Sequence, residues 1–482
     1  MSRSTLRMIV INMTWLILTG GLLPFAAIAA DMEVPEPKCV AVSASQSLTL
    51  TDAVIQSLSN EPHLILARED VAESKADLKA ARTPFLPKGQ LIVDDERFVP
   101  SNAAAPVTVV GNNILGGTRT YSAYGSVSVS WNILSSGRDM AGFRAAQAGV
   151  RASDAALYGQ LDDTLSGLLK AYADVYEARL TVDQQSKAVD RLRAIESRSE
   201  QRFRQGDGTT IAVGQARSAA LDAERTLNQT CSGLTEKSLA LAKAIGVQLP
   251  AGELLLATSE LPALAAAVVD SSDPTAAVEN DPEVISAKEK VTEAEAGLRQ
   301  THAAFGPSIE IDARRDYLGQ DVDSLSLANH AIAPNSYRVG VSLIQPLFSF
   351  TTESSAIDKA RVALRKAQVS TNQARGDADA KLRTAIAAQV EADASYRAAQ
   401  SSVTEAQQVV ELTVSLYKAG RTDMDSVEHA ELDLEKVQTE FRTMASHRLL
   451  ANWDVARAFQ ATRFAYALLH QLGIEFPDAL PN

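Results

Sequence analysis

The fold is decided by residues 417–451, YKAGRTDMDSVEHAELDLEKVQTEFRTMASHRLLA. After Gly420, apolar residues recur at alternating spacings of three and four, as in a heptad repeat, and Arg448 is the one charged residue on this seam. The seam consists of Val427, Ala430, Leu434, Val437, Phe441, Met444 and Ala451. Before the glycine, the same spacing continues through Val403, Ala406, Val410 and Tyr417. We predict an antiparallel coiled-coil hairpin that turns at Gly420, where the missing Cβ permits the left-handed helix cap.

The hairpin has an earlier copy. Subtracting 214 from Tyr417 and Gly420 gives Phe203 and Gly206, and the seam that follows reads Val213, Ala216, Ala220, Ala223, Leu227 and Leu234. The repeat reaches further back, because Asn60-Glu61-Pro62 recurs as Asn280-Asp281-Pro282 and Phe85-Leu86-Pro87 as Phe305-Gly306-Pro307. An internal repeat determines architecture. We therefore predict two copies of one unit, each with a short helix, a strand, a loop, a strand and a long helical hairpin.

Two pairs of strands precede the two hairpins. In the clearest strand, Tyr121 to Ile133, apolar residues alternate with serines, so that one face is apolar and the other carries hydroxyl groups. Segments Gly89–Phe98, Ile309–Tyr317 and Tyr337–Leu347 complete the set. Such alternation over about ten residues is typical of a strand with lipid on one side and water on the other, although a soluble sandwich has it too. Four strands cannot close a barrel, since about eight are needed, so we predict an oligomer.

Composition limits the class of protein. The chain is 46% hydrophobic and 22% charged, which excludes wholesale disorder, and its aromatic content of 5% beside alanine-rich helices favours long close-packed helices. The net charge of −13 argues against a nucleic-acid partner, which requires a basic stripe. Beyond residue 30 no apolar run approaches the roughly 20 residues of a membrane helix. A membrane crossing would therefore require a barrel.

The first 30 residues are predicted to be a secretory signal peptide. Arg3 and Arg7 precede an apolar stretch that ends in Ala27-Ile28-Ala29-Ala30, and an N-terminal anchor helix is the alternative. Outside the cytoplasm the two cysteines, Cys39 and Cys231, can form a disulfide, with two separate thiols as the alternative. The predicted segments are a signal peptide (1–30), an extended N-terminal segment (31–48), the first repeat (49–248), a linker (249–274), the second repeat (275–470) and a C-terminal tail (471–482).

These features together resemble the TolC family of outer-membrane efflux and secretion channels over about residues 46–470. The resemblance rests on the duplicated Asn-acid-Pro helix starts, the Phe-x-Pro strand entries, the alternating strands, the tips Phe203–Gly206 and Tyr417–Gly420, and the exit motif Gln345-Pro346-Leu347-Phe348. It implies a mixed, mainly α fold. Four strands per protomer would join in a trimeric 12-stranded outer-membrane β-barrel that continues into a periplasmic α-helical barrel.

The resemblance also implies partners and sites. By this resemblance, the protein would be a homotrimer in the outer-membrane lipid of a Gram-negative bacterium, with a long periplasmic extension. Its hairpin tips, at Phe203, Gly206, Tyr417 and Gly420, would dock on a periplasmic adaptor protein and through it reach an inner-membrane pump or ABC transporter. Tyr417 lies where the family places a gate tyrosine. The expected function is a passive exit duct for efflux or type I secretion.

The sequence departs from the family at the pore entrance. Six and nine residues after Gly420, where the family often has aspartates, stand Ser426 and His429, and acids lie instead at Asp423, Asp425 and Glu428. A threefold ring of such carboxylates would favour cations at the gate. The alternative is that charges beside an exposed turn are simply solvated.

The sequence contains no grouping of residues that indicates catalysis. The six histidines show no paired metal-ligand spacing, so we expect no enzyme, no metal site and no cofactor. Two other classes of protein are alternatives to the duct. A periplasmic adaptor should carry one hairpin inserted in a β-rich core, and a structural coiled-coil protein should lack the alternating strands. The cargo, whether drug, metal, protein or polysaccharide, is not encoded in any motif.

Overall fold

The computed structural model describes residues 45–98, 108–110, 113–115, 120–250, 253–257, 273–321, 323–347, 350–472 and 474, which all belong to one compact unit. The strands are β1 (Ser45–Leu48), β2 (Lys88–Phe98), β3 (Thr108–Val110), β4 (Asn113–Leu115), β5 (Thr120–Leu134), β6 (Leu254–Ala257), β7 (Ser308–Asp321) and β8 (Ala333–Ile344). The helices are α1 (Leu50–Asn60), α2 (Pro62–Ala80), α3 (Arg138–Gln205), α4 (Thr210–Ala244), α5 (Pro274–Glu279), α6 (Pro282–Ala303), α7 (Leu325–His330), α8 (Phe350–Lys418) and α9 (Met424–Gln471).

The order of these elements confirms the duplicated unit. Helices α1 and α2, strands β2 and β5, and the hairpin α3–α4 recur as α5 and α6, β7 and β8, and the hairpin α8–α9. The repeated Asn-acid-Pro motif begins α2 and α6. The acid caps each helix, as Glu61 accepts from the Leu64 N–H at 2.6 Å and Asp281 from the Glu283 N–H at 2.9 Å, while proline takes the first helical position, which needs no N–H donor.

The predicted strands form one antiparallel sheet in the order β2-β5-β7-β8. Strand register places most of the apolar residues of the four strands on one face, since Val127 pairs with Leu91, and Ile311 pairs with Trp131 and with Val341. The charged residue Arg315 lies on the same face, opposite Val127. This face is exposed. Its apolar residues, each at least 41% exposed, include Leu91, Val93, Val127, Val129, Trp131, Tyr337, Val339, Val341 and Leu343.

The opposite face of the sheet is polar and internally bonded. Asp316 accepts hydrogen bonds from the Tyr124 hydroxyl at 2.8 Å and the Ser336 hydroxyl at 2.9 Å, and pairs with Arg314 at 2.6 Å. The apolar face of the sheet therefore suits lipid and the polar face suits water, as the serine alternation of β5 predicts.

The main hydrophobic core surrounds the middle of α3. Leu161, Leu165, Leu168 and Tyr172 are buried there against α1, α2, the end of α4, the end of α9 and the strands β1 and β6. The Tyr172 hydroxyl donates to the Leu48 carbonyl at 3.1 Å, which fixes β1 on the helix. The burial of these side chains ties the N-terminal strand to the hairpins.

The helical seams behave as the heptad spacing predicts. On α4, Ala220, Ala223, Leu227 and Leu234 are buried, and on α9, Val427, Ala430 and Ala451 are buried. The seam arginine has partners on α8, because the Arg448 guanidinium pairs with Asp393 at 2.5 Å and lies 4.7 Å from the Tyr396 ring centroid. A charge on this seam is therefore tolerated because α8 supplies its counter-charge.

Three segments are more ordered than the sequence predicts. The predicted linker contains β6, which pairs in parallel with β1, and the loop between β2 and β5 contains the short hairpin β3–β4. The loop between the predicted strands Ile309–Tyr317 and Tyr337–Leu347 is shorter than the sequence predicts, because β7 runs to Asp321 and helix α7 fills most of the remainder. These pieces are three to six residues long, which is too short for a periodic pattern to reveal them.

Two further features concern the cysteines and the membrane. Cys231, on α4, is disulfide-bonded, whereas Cys39 lies outside the described residues, so the Cys39–Cys231 bridge stays a prediction. The predicted signal peptide, 1–30, also lies outside them. Among the helices that the structure describes, none combines the length and the apolar character needed to cross a bilayer.

Candidate docking and gating site at the hairpin tips

The first hairpin turns through a glycine in the left-handed conformation. Gly206 has a φ of +87°, and its N–H donates to the Phe203 carbonyl at 3.1 Å. The Asp207 N–H donates to the Arg202 carbonyl at 2.9 Å. These two bonds define a Schellman motif, which satisfies the last carbonyls of α3.

The second hairpin turns in the same way. Gly420 has a φ of +66°, its N–H donates to the Tyr417 carbonyl at 2.9 Å, and the Arg421 N–H donates to the Leu416 carbonyl at 2.9 Å. At both glycines an added Cβ would meet no atom within 4 Å, so the backbone conformation and not space requires glycine. The tips of the two repeats therefore share one geometry.

Each tip ends in a capped return helix. Thr209 caps α4, accepting from the Ala212 N–H at 3.2 Å, and Asp423 caps α9. The Asp423 carboxylate accepts from the Ser426 hydroxyl at 2.5 Å and the Ser426 N–H at 2.9 Å. These hydrogen bonds hold the pKa of Asp423 below its ordinary value, so this carboxylate is ionised at neutral pH.

The tips expose large apolar side chains. Phe203 is 47% exposed and Tyr417 is 45% exposed. Two residues that sequence reasoning missed, Ile211 at 73% and Met424 at 38%, lie in the first turns of α4 and α9. We call Phe203, Ile211, Tyr417 and Met424 the tip surface. Exposed aromatic and aliphatic side chains of this kind are what a partner helix can bury.

The acids after Gly420 have arginine partners on the other hairpin. Both carboxylate oxygens of Glu428 accept from the Arg198 guanidinium, one of them at 2.6 Å. Asp425 lies 3.5 Å from Arg198 and 3.4 Å from Arg202. The bond to Glu428 and the nearby acids raise the pKa of Arg198. Two of the three acids that the sequence assigns to selectivity therefore face guanidinium groups of the same chain.

The contact continues away from the tips. Arg191 of α3 lies 2.8 Å from Glu435 and 3.5 Å from Glu431 of α9. We define the tip ladder as Arg191, Arg198 and Arg202 of α3 with Asp425, Glu428, Glu431 and Glu435 of α9. The arginines are seven and four residues apart and the acids three or four, so each set forms a stripe on its helix. The regular spacing of these charges is the sequence signal for the tip ladder, but spacing alone does not show which helices contact each other.

The predicted tip residues thus fall into two groups, one at the exposed tips and one in the contact between the two hairpins. Phe203 and Tyr417 are on the tip surface, the two glycines form the turns, and Asp423 is an exposed cap. Asp425 and Glu428 lie in the tip ladder between the hairpins. Among the described residues, no group of three or more His, Cys, Asp or Glu side chains is arranged to hold a metal ion.

The fold and the tips define a class of protein in which a duplicated unit supplies two long helical hairpins and a four-stranded antiparallel sheet. The chain belongs to the outer membrane efflux protein family, whose model matches residues 53–247 and 274–459. Among curated sequences no relative matches.

Solved structures share the fold. The Campylobacter jejuni CmeC outer membrane channel superposes with a TM-score of 0.70 at 16% identity, covering 88% of this chain and 89% of CmeC. The outer membrane protein VceC from Vibrio cholerae gives 0.63 at 17% identity, covering 88% and 96%. The open state of the Neisseria gonorrhoeae MtrE outer membrane channel gives 0.63 at 17%, covering 85% and 88%.

Proposed function

We propose that this protein is the outer-membrane exit duct of a tripartite efflux or type I secretion system. In this proposal it is a passive homotrimeric channel with a long periplasmic extension, and an adaptor protein opens it at the hairpin tips. The observation that carries the proposal is the four-stranded sheet, with its exposed apolar face, its polar opposite face and its two outer strands, β2 and β8, open at the sheet edges.

Such a sheet is incomplete as a single copy. Open strand edges carry unpaired backbone groups, and an exposed apolar face of this extent is unfavourable in water. Pairing β8 of one copy with β2 of the next would satisfy both edges and turn the apolar face toward lipid. Three copies would supply twelve strands, which agrees with the family resemblance, whereas four strands alone cannot enclose a bore.

The helices also present unpaired apolar positions. Helix α8 exposes Val369, Val390 and Leu412 at 61–66%, and α4 exposes Leu221 and Leu239 at 52–53%. These helices lie at opposite sides of the series α4–α3–α9–α8, because α3 contacts α4 and α9, and α9 contacts α8. Packing of α8 against α4 of the next copy would close a helical ring around a periplasmic bore.

The tips suit opening by a partner. The tip surface offers apolar side chains for the hairpins of an adaptor, which would link the duct to an inner-membrane pump or ABC transporter. The tip ladder holds α3 to α9 through partly exposed ion pairs, and water can replace these at modest cost. Separation of the two hairpins by a docked adaptor is therefore energetically accessible. The presence of two hairpins also argues against the adaptor alternative, which requires one.

The proposal is tested on protein purified in detergent. Mass measurement should give a trimer, and incorporation into planar bilayers should give ion conductance that rises when an adaptor is added. A monodisperse monomer that is soluble without detergent and does not conduct would overturn the proposal. Cargo follows from the inner-membrane partner, since a bore lined by helices selects little by itself.

A further inference from the structure

Exposed cations and aromatic side chains lie together at one end of the four-stranded sheet, where the strands join the long helices. Residues 81–87 link α2 to β2 there, and Phe85, in this link, is 40% exposed. The indole N–H of Trp131, near the end of β5, donates to the Phe85 carbonyl at 3.1 Å. Because Trp131 belongs to the exposed apolar face of the sheet, the link continues that face toward the helices.

A guanidinium group is held on these aromatic side chains. The Phe85 ring meets the Phe143 ring of α3 edge to face, with the ring centroids 6.4 Å apart. The Arg82 guanidinium lies over the Phe143 ring, 5.7 Å from its centroid. Arg82 and Lys79, in the last turn of α2, are both exposed, and no ion pair among the described residues engages either of them. Cations without a counter-charge, beside exposed apolar side chains, suit an anion that also has an apolar part.

The charge at this end of the sheet is opposite to that of the whole chain. Between residues 78 and 93 the sequence has three cations, at positions 79, 82 and 88, and no carboxylate, although the net charge of the chain is −13. Further along β2, residues 94–96 are three consecutive acids. Strand β2 is therefore basic at its helical end and acidic toward its far end.

The second repeat carries basic side chains at the same two positions. The first pair of cations stands six and three residues before Phe85. Arg299 and His302 stand at the same distances before Phe305, and both are exposed. Residues 297–309 likewise contain no carboxylate. Both repeats therefore present basic side chains where a helix ends and the sheet begins.

The depth of the guanidinium matches a phospholipid headgroup. Phe143 is five residues after Arg138, where α3 begins, which is about 8 Å along the helix. The polar layer on each side of the hydrocarbon of a bilayer is about 5–8 Å thick. In the proposed duct the apolar face of the sheet lies in hydrocarbon, which places Arg82, over the Phe143 ring, at the level of the headgroups.

We call Lys79, Arg82, Phe85, Leu86 and Trp131 the rim surface. We propose, as an inference that rests on the duct function, that the rim surface binds an anionic phospholipid of the adjacent membrane leaflet. The Arg82 guanidinium donates to the lipid phosphate, and Lys79 adds a second positive charge. The acyl chains contact Phe85, Leu86 and Trp131, of which Leu86 is 61% exposed and Trp131 is 41% exposed. A phospholipid without net charge binds less well, because its own ammonium group faces the two cations.

The test uses the full chain in detergent and the fluorescence of Trp131, a reporter within the site. Trp453 is 4% exposed, and Trp15 lies in the predicted signal peptide. Phosphatidylglycerol with dibrominated acyl chains is the probe, and phosphatidylcholine with the same chains is the comparison. Bromine quenches an indole only at close range, so quenching reports lipid at the rim surface. Half-maximal quenching should need about tenfold less phosphatidylglycerol than phosphatidylcholine.

The variants separate the two cations from the charge of the protein as a whole. Lys79→Gln/Arg82→Gln keeps the aromatic side chains and should reduce the preference for phosphatidylglycerol to about twofold or less. The matched control Lys187→Gln/Arg225→Gln removes a lysine and an arginine whose side chains are 54% and 64% exposed on α3 and α4, and it should keep the full preference. Trp131→Phe should remove the lipid-dependent quenching.

The proposal is overturned if the two lipids quench the wild-type protein equally, if both double variants lose the preference equally, or if the Trp131→Phe protein is quenched as strongly as the wild type. Trimer mass and conductance are measured on the same samples, which shows that each variant is assembled. A conducting trimer without lipid preference refutes the rim surface alone, whereas a soluble monomer refutes the duct and the rim surface with it.

Discussion

Replacing Arg198 with glutamine removes the guanidinium that holds Glu428 in the tip ladder. The Glu428 side chain is 14% exposed and that of Arg198 is 33% exposed. The pair therefore lies between exposed ion pairs, worth about 0.2–1 kcal/mol, and buried ones, whose disruption costs about 3–5 kcal/mol. We expect Arg198→Gln to weaken the α3–α9 contact by about 1–3 kcal/mol per subunit, which shifts the opening equilibrium of each subunit about 5- to 150-fold.

The assay is conductance of the purified protein in planar bilayers without an adaptor. Arg198→Gln should raise the open probability, because a closed arrangement that depends on the tip ladder loses one of its contacts. The matched control is Arg204→Gln, which makes the same charge change on the last turn of α3. Arg204 is 76% exposed, and among the residues that the structure describes its ion-pair partner is Glu200 of the same helix, at 3.2 Å.

A double-mutant cycle tests whether the rise in open probability comes from the Arg198–Glu428 pair. Glu428→Gln alone should raise the open probability similarly, and adding it to Arg198→Gln should change little further, giving a coupling energy of about 0.5–3 kcal/mol. Equal behaviour of Arg198→Gln and Arg204→Gln, or additive effects of the two ladder variants, would refute a latch between the hairpins.

Four other predictions concern the sheet, the turn, the entrance charge and the buried acid. Val341→Arg on the exposed apolar face should prevent outer-membrane insertion, at about 2–4 kcal/mol near the bilayer centre, whereas Ser342→Arg, opposite Glu310 on the polar face, should insert normally; membrane fractionation checks both. Gly206→Ala should strain the left-handed turn by about 1–2 kcal/mol and weaken adaptor capture in a pull-down; unchanged capture would contradict this. Asp423→Asn keeps the cap of α9 but removes its charge, so the reversal potential in a salt gradient should show weaker cation preference; an unshifted potential would assign that preference elsewhere. Because burial raises the pKa of Asp162 to about 6, the folded state binds its proton more tightly, and this stabilisation is lost as pH rises through 6. Stability should therefore increase by about 1 kcal/mol from pH 7 to pH 5, and thermal denaturation of Asp162→Asn should lack that increment.

The repeated architecture could be predicted from the sequence because its signals are long. The heptad seams and the duplicated motifs extend over tens of residues, and the alternation in β5 covers most of a 15-residue strand. Arg448 showed where a periodic pattern is insufficient. Its tolerance on the seam depends on Asp393 and Tyr396 of another helix, and sequence spacing does not specify contacts between helices.

The candidate site was only partly predictable for the same reason. The glycine turns follow from backbone conformation, which is local. The role of Asp425 and Glu428 is not local, because their arginine partners are more than 220 residues away in sequence. The pairing of β1 with β6 was also missed, since two four-residue strands carry no detectable period.

The contact of Arg448 with Asp393 and Tyr396 also fixes the axial register of α8 against α9. A slip of α8 along α9 by one heptad would keep every aliphatic side chain on the seam but would leave this guanidinium without its carboxylate and ring. The interaction thus fixes the register of the two helices at a point about 40 Å along α9 from Gly420. The axial position of Tyr417 relative to α9 is therefore fixed from the middle of the hairpin, well away from the turn itself.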